Sequence, residues 1–294
     1  MIPSPEPVSR FMSAPDGLKL HLVDYDPGTP ATPVVCLPGL SRTAADFDAL
    51  ARVLSRARRV VAIDYRGRGL SEHDKDWRNY DLAVENADIL AQLTAIGVDE
   101  AIIVGTSRGG IHAMLFAATR PGLPRAVVLN DIGPVIEAKG LARIRGYVGK
   151  LPPPHSLADA VDLGKRIMSA QFTGLDEARW EAWARLTFEE KDGRFLPRYD
   201  TRLMKTLEPL DLEAPIPQMW AQFEGLRAIA TLVIRGENSD LLSRETLAEM
   251  RRRHPRCEAW EAPGEGHAPL LVDDAAIARI AGFIESADQP RAAN

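Results

Sequence analysis

The sequence predicts an α/β fold: a mostly parallel central sheet with helices on both faces, interrupted by a helical insertion. Three observations carry this. Short runs that are apolar throughout alternate with longer segments of helical spacing, and strands apolar on both faces belong to parallel sheets covered on both sides. The alternation lapses over residues 135–215, where helical spacing persists without a good buried strand, and resumes beyond residue 216. The chain has 294 residues, 45% hydrophobic and 26% charged, which is enough for a large core and far from the composition of a disordered chain.

The elements follow in order. Residues 18–25 alternate as a half-exposed strand, with Leu18, Leu20 and Leu22 on one face. Residues 33–37 are short and apolar and are broken by Pro38-Gly39. Residues 44–57 have helical spacing through Phe47, Leu50, Val53 and Leu54, and residues 60–64 form another apolar run. In residues 82–96, Ile89, Leu93 and Ile96 share a helical face that Gly97 terminates. Residues 101–104 read as strand and 111–119 as helix, and residues 125–130 contain the strand Ala126-Val127-Val128-Leu129. After the insertion come two strand–helix units: 231–235 with 244–253, then 258–262 with 275–284, whose helix buries Ile277, Ile280 and Ile284. The expected organisation is a core of residues 1–134 and 216–294 with a helical cap, 135–215, inserted in it. Ligands of open α/β sheets bind at the carboxyl ends of the strands, so an insertion leaving from such an end sits over the site.

Composition narrows the function classes. The formal charge is −5, from 36 basic and 41 acidic residues, which argues against a nucleic-acid partner. No run approaches 18 apolar residues, so no membrane span is expected. The first seven residues hold three prolines and no apolar signal-peptide core follows, which predicts a cytoplasmic protein. Cys36 and Cys257 read as buried reduced thiols. No CxxC or HExxH spacing suggests a metal site.

The sharpest signal is Gly105-Thr106-Ser107-Arg108-Gly109-Gly110, between an apolar strand and a helix. A nucleophilic serine must project from a tight strand-to-helix turn, where side chains two residues before and after it would collide. Gly105 and Gly109 remove both. Serine needs a base to take its proton. His267, in Gly264-Glu265-Gly266-His267, follows the last strand in a loop that brings backbone close to the nucleophile. The third member orients the imidazole and stabilises its cation. Asp240, just past the strand at 231–235, is the expected acid, giving the chain order Ser107, Asp240, His267. Glu237 and Asp131 are rivals, Asp131 because a carboxylate after the strand ending at Asn130 also reaches the histidine. The expected oxyanion donors are the backbone N–H of Arg108, directly after the nucleophile, and of Leu40, in the Pro38-Gly39-Leu40-Ser41 turn.

Taken together these residues resemble the α/β-hydrolase superfamily, in its serine-nucleophile branch with a helical cap. The stretch Asp64-Tyr65-Arg66-Gly67-Arg68-Gly69-Leu70-Ser71 matches that family's D-x-R-G-x-G-x-S segment, and Arg66 is expected to bond backbone or a carboxylate. The resemblance extends from about Phe11 to Ile284 and is weakest in the cap. Relatives acting on haloalkanes or epoxides carry aspartate at the elbow, so Ser107 argues against both. Many relatives have His-Gly in the oxyanion loop where this chain has Pro38-Gly39, so the loop must be held differently. The resemblance implies no metal and no organic cofactor.

The expected function is hydrolysis of a carboxylic ester of a small to medium, neutral small molecule through an acyl-enzyme. The cap carries 13 basic and 13 acidic residues and so exerts no net pull on anions. Trp180, Trp183, Phe188 and Phe195 cluster there, as packing for the cap itself or as walls of an apolar pocket. Two alternatives use the same frame: carbon–carbon bond hydrolysis of diketone-like acids on the same triad, and small-ligand binding without catalysis.

Overall fold

The computed structural model describes residues 4–288. The chain opens with an antiparallel pair, β1 (Val8–Ser13) and β2 (Lys19–Tyr25). It continues through β3 (Val34–Leu37), a 3-10 turn (Ala44–Phe47) leading into α1 (Asp48–Leu54), β4 (Val60–Asp64), α2 (Leu82–Ala95), β5 (Ala101–Thr106), α3 (Arg108–Thr119) and β6 (Pro124–Asn130). Then come α4 (Ala138–Tyr147), α5 (Leu157–Met168), α6 (Glu177–Thr187), the hairpin β7 (Phe188–Lys191) and β8 (Arg194–Pro197), and a 3-10 helix (Thr201–Leu207). The last part is α7 (Trp220–Glu224), β9 (Ala230–Gly236), α8 (Arg244–Arg253), β10 (Cys257–Ala262) and α9 (Asp274–Asp288).

Eight strands form one sheet in the order β1-β2-β4-β3-β5-β6-β9-β10. β1 and β2 are antiparallel; from β4 to β10 every pairing is parallel. Every residue of β3, β4 and β9 is buried, as strands covered on both faces require. Their side chains divide by parity between two apolar layers. Val35, Val61, Ile103 and Val127 pack with Leu93, Phe116 and Met250 of α2, α3 and α8. Val34, Val60, Ile102 and Val128 pack with Leu50, Ile280 and Phe283 of α1 and α9. Each such side chain contributes roughly 1.5–3 kcal/mol on burial, so these two layers hold the sheet.

Every strand and helix read from the sequence forms, with ends shifted by a few residues. The shift that bears on the site is at α3, which starts at Arg108 instead of 111, directly on the serine. Three elements were not expected. β1 is exposed along most of its length and pairs with β2, and its apolar residues Val8, Phe11 and Met12 do not alternate as in a half-buried strand. The β7–β8 hairpin is partly exposed and turns at Asp192-Gly193, both at positive φ. The short α7 buries Phe223.

Residues 135–215 join β6 to β9 as helices, a hairpin and a 3-10 turn. They have their own apolar cluster, in which Trp180 and Trp183 meet edge to face above Met168 and Phe172. The Trp183 ring lies where a side chain at Gly164 would stand, 2.4 Å from its Cβ position, so α5 and α6 pack closely. Ser156 and Asp176 cap these two helices through the N–H groups of Asp159 and Arg179.

Candidate active site

Ser107 lies between β5 and α3 with φ +50°, a left-handed strain that a serine bears only where the turn demands it. The two flanking glycines make that turn possible. A Cβ on Gly109 would stand 2.0 Å from the Leu37 carbonyl oxygen, and one on Gly105 would stand 2.5 Å from the Gly109 backbone. The turn raises the Ser107 hydroxyl at the carboxyl end of β5, where His267 Nε2 lies 3.0 Å away.

His267 is buried in the loop between β10 and α9. Its Nδ1 is 2.8 Å from Oδ2 of Asp131. With Asp131 ionised, Nδ1 carries the proton and Nε2 is free to accept from Ser107, a tautomer assigned from these partners. Asp131 follows β6, at φ +55°, and is itself fixed. Its Oδ1 accepts from the Gly236 N–H at 2.7 Å, and its Oδ2 accepts from the Ser239 hydroxyl at 2.6 Å.

At the acid the geometry departs from the expectation. Asp240 makes no hydrogen bond or ion pair with His267; its carboxylate takes a two-pronged ion pair from Arg143 of α4, at 2.7 and 2.9 Å. Burial works against the Asp240 charge, but the bonds from Arg143 and Gln171 outweigh it and hold the carboxyl below its ordinary value. Arg143 occupies the Asp240 carboxylate, and Asp131 is left to the histidine. β6 is the immediate neighbour of β5, whereas β9 is one strand further out. The Asp131 side chain, at the end of β6, reaches the imidazole directly, while Asp240 is turned toward Arg143 of α4. Glu237, the other rival, accepts from the Gly264 N–H at 2.7 Å and braces the loop that carries His267.

The backbone N–H groups of Arg108 and Leu40 donate to no protein group among the described residues. Arg108 is the first residue of α3, where the N–H has no intrahelical partner. Leu40 lies in the turn beside the nucleophile: the Cβ position of Gly39 is 3.8 Å from Ser107 Cβ. Arg66 bonds carboxylates, as its motif suggested: two bonds to Asp88 at 2.6 and 2.8 Å, one to Asp74 at 2.6 Å and one to Asp16 at 2.9 Å.

Ser107 and His267 open into a cavity of about 230 Å³. Leu40 and Leu271 line it from the core, and Ile144, Tyr147, Trp183 and Phe188 from residues 135–215, so its walls are mainly apolar. Two arginines also line it. Arg42 is neutralised by two bonds to Asp46, at 2.6 and 2.7 Å, and donates to Thr187 Oγ1 at 2.6 Å. The Arg179 side chain makes no hydrogen bond or ion pair among the described residues. Among these residues no group of His, Cys, Asp and Glu is arranged to hold a metal ion, and no helix is long and apolar enough to cross a membrane.

A parallel sheet bearing a strained serine on a strand-to-helix turn, with a histidine and an aspartate in line behind it, is the architecture of α/β hydrolases. The chain belongs to the alpha/beta hydrolase family, which it matches over residues 34–281. It is 32% identical to a 3-hydroxybutyrate-oligomer hydrolase of Cupriavidus necator, over 97% of this chain and 100% of that protein. It is 28% identical to the mouse sn-1-specific diacylglycerol lipase ABHD11, over 85% of this chain and 79% of the relative. Among solved structures, an alpha/beta hydrolase from Novosphingobium aromaticivorans superposes with a TM-score of 0.88 at 36% identity, covering 96% of this chain and 99% of that one.

Proposed function

We propose that the chain is a carboxylic-ester hydrolase acting through an acyl-enzyme, with Ser107 as nucleophile, His267 as general base and acid, and Asp131 as the orienting carboxylate. The continuous line from Ser107 Oγ to His267 at 3.0 Å and on to Asp131 at 2.8 Å carries this reading. In it, Ser107 Oγ attacks the ester carbonyl as His267 Nε2 takes the hydroxyl proton. The Leu40 and Arg108 N–H groups receive the oxyanion, each supplying roughly 3–4 kcal/mol of transition-state stabilisation. The tetrahedral intermediate collapses, the alcohol leaves with the proton from Nε2, and water repeats the sequence on the acyl-enzyme. Asp131 stays ionised throughout and stabilises the imidazolium. Residues 135–215 act as the cap over this site.

The cavity supports a substrate with a short, mainly apolar body. Arg179, which forms no ion pair among the described residues and lines the cavity, favours a substrate with a carboxylate, where the cap's overall charge balance favoured a neutral one. A local guanidinium facing the cavity, with only a through-space attraction to Glu265, weighs more than a net count over a segment whose charges are mostly paired or solvated. Short esters of hydroxy acids combine these features, and the Cupriavidus necator relative is named for oligomers of one such acid.

The test is hydrolysis of the 3-hydroxybutyrate dimer against its methyl ester, beside a chain-length series of p-nitrophenyl esters. Wild type is expected to cleave short and medium esters and to prefer the dimer acid to its methyl ester. Arg179→Gln is expected to reduce that preference about tenfold, the scale of one charge-assisted contact at a partly solvated site. An unchanged preference removes the carboxylate from the proposal. No ester turnover by folded protein removes the proposal itself and favours carbon–carbon cleavage.

A further inference from the structure

We propose that Arg68, with Tyr65, is a positioning group of the oxyanion hole, taking over the task left vacant where Pro38 stands. The inference rests on the reading of Leu40 and Arg108 as oxyanion donors. Three consecutive peptides in the loop are each pinned through their carbonyl. Tyr65 Oη donates to Pro38 O at 3.1 Å. The Arg42 N–H donates to Gly39 O at 3.2 Å. Arg68 Nε donates to Leu40 O at 2.9 Å. The peptide that carries the Leu40 N–H is the middle one. Its own oxygen is bonded, and the peptides before and after it cannot rotate, so its N–H is left aimed without an acceptor.

The same guanidinium reaches the second donor. Arg68 Nη1 lies 2.8 Å from Glu85 Oε1, and Glu85 Oε2 accepts from Arg108 Nε at 2.6 Å. Arg108 Nη2 further donates to Tyr80 O at 3.0 Å. One buried relay, Arg68–Glu85–Arg108, thus links both residues whose N–H groups form the hole. Arg68 is additionally held between the rings of Tyr65 and Tyr80, at 5.6 and 5.3 Å. Arg68 and Glu85 have no exposed side-chain surface. Burying such a pair costs several kcal/mol in desolvation, and an apolar pair of similar volume is often as stable. Stability alone therefore gives little reason for charges here, whereas two rigid arms on the oxyanion loop and on the nucleophile's neighbour do.

The experiment compares wild type with Arg68→Lys and Tyr65→Phe on the p-nitrophenyl ester with the fastest turnover, with an n-alkylboronic acid as tetrahedral inhibitor. Arg68→Lys keeps a charge against Glu85, but one ammonium on a flexible stem cannot hold both arms. Tyr65→Phe removes a single hydroxyl and keeps the ring. Arg68→Lys is expected to lower kcat about 30-fold with KM within about twofold, because the lost bonds act on the transition state; a whole donor is worth about 10²–10³. Tyr65→Phe is expected to lower kcat about fivefold, as one neutral hydrogen bond allows. Boronate affinity falls by the same factors, while inhibition by the product acid stays within about twofold. A loss of kcat without matching loss of boronate affinity, or either folded variant within threefold of wild-type kcat, overturns the inference. Labelling of the wild type by a fluorophosphonate separates the two levels. A labelled wild type with unaffected variants removes only the positioning role, and an unlabelled wild type removes the reading of Ser107 on which it rests.

Discussion

Ser107→Ala is expected to lower kcat/KM for a p-nitrophenyl ester by about 10⁶-fold, the loss seen when a serine nucleophile that acts as a unit with its histidine is removed. The substitution deletes one oxygen, the one 3.0 Å from His267 Nε2. Alanine keeps the Cβ, so the contacts that set the elbow persist, and the left-handed strain at φ +50° is the same for both residues. Thermal stability is therefore expected to stay within a few degrees of wild type, or to rise slightly as a polar group in a mainly apolar cavity is removed. The residual rate reports what the oxyanion donors and binding achieve alone, about 10³–10⁴ over water. Parallel melting curves and progress curves on wild type and variant make the check. A folded Ser107→Ala protein within tenfold of wild-type activity places the nucleophile elsewhere.

How much of this was legible in the sequence depends on whether the signal was local. β3, β4 and β5 are apolar on both faces, so their burial is written in consecutive residues. Gly105 and Gly109 are required by backbone within the same turn or on the adjacent strand, and the spacing around Ser107 records that requirement. β1 has no such record: it is paired with β2 and its side chains bind partners on other segments, Arg10 on Asp24 and Phe11 on His21, so nothing consecutive in the chain marks it. The hairpin did leave one, the Asp192-Gly193 pair suited to a two-residue turn. It was masked by Glu189, Glu190 and Lys191, which make β7 read as a solvated segment.

The tethers of the oxyanion loop lay outside what the motif offered. Arg66 is the arginine the D-x-R-G-x-G-x-S pattern singles out, and it serves a cluster of three carboxylates. Arg68, two residues on at a variable position, bonds the loop instead. The substitution of Pro38 for histidine was visible in the sequence and indicated that something else holds the loop. Which side chains do so is a matter of distances between β3, β4 and α2.

The choice of acid shows the same limit, and its test is the second large effect. Both Asp131 and Asp240 fall between Ser107 and His267 in the chain, so chain order admits either. What separates them is a partner 97 residues away: Arg143 occupies the Asp240 carboxylate, while Asp131 is left to His267. Asp131→Asn is expected to lower kcat by about 10⁴-fold, the scale found when an amide replaces the carboxylate and favours the wrong imidazole tautomer. Three contacts sharpen the expectation. Oδ1 accepts from the Gly236 N–H, and Oδ2 accepts from the Ser239 hydroxyl and faces His267 Nδ1. An amide keeps one acceptor, which the Gly236 N–H claims, and its NH₂ group turns to the imidazole. Nδ1 must then accept, Nε2 carries the proton, and Nε2 no longer serves as base toward Ser107. Asp240→Asn disturbs the histidine far less. It breaks the charge on the Arg143 pair that fastens α4, whose Ile144 and Tyr147 wall the cavity, so it is expected to raise KM several-fold while kcat falls less than about tenfold. Stability gained from the depressed Asp240 carboxyl is present above the ordinary aspartate range and is lost as pH falls below it. The Asn variant should therefore show a smaller acid-induced drop in melting temperature than wild type. Steady-state kinetics of the two variants decide the assignment: a large kcat loss confined to Asp131→Asn supports Asp131 as the acid, and one confined to Asp240→Asn returns that role to Asp240.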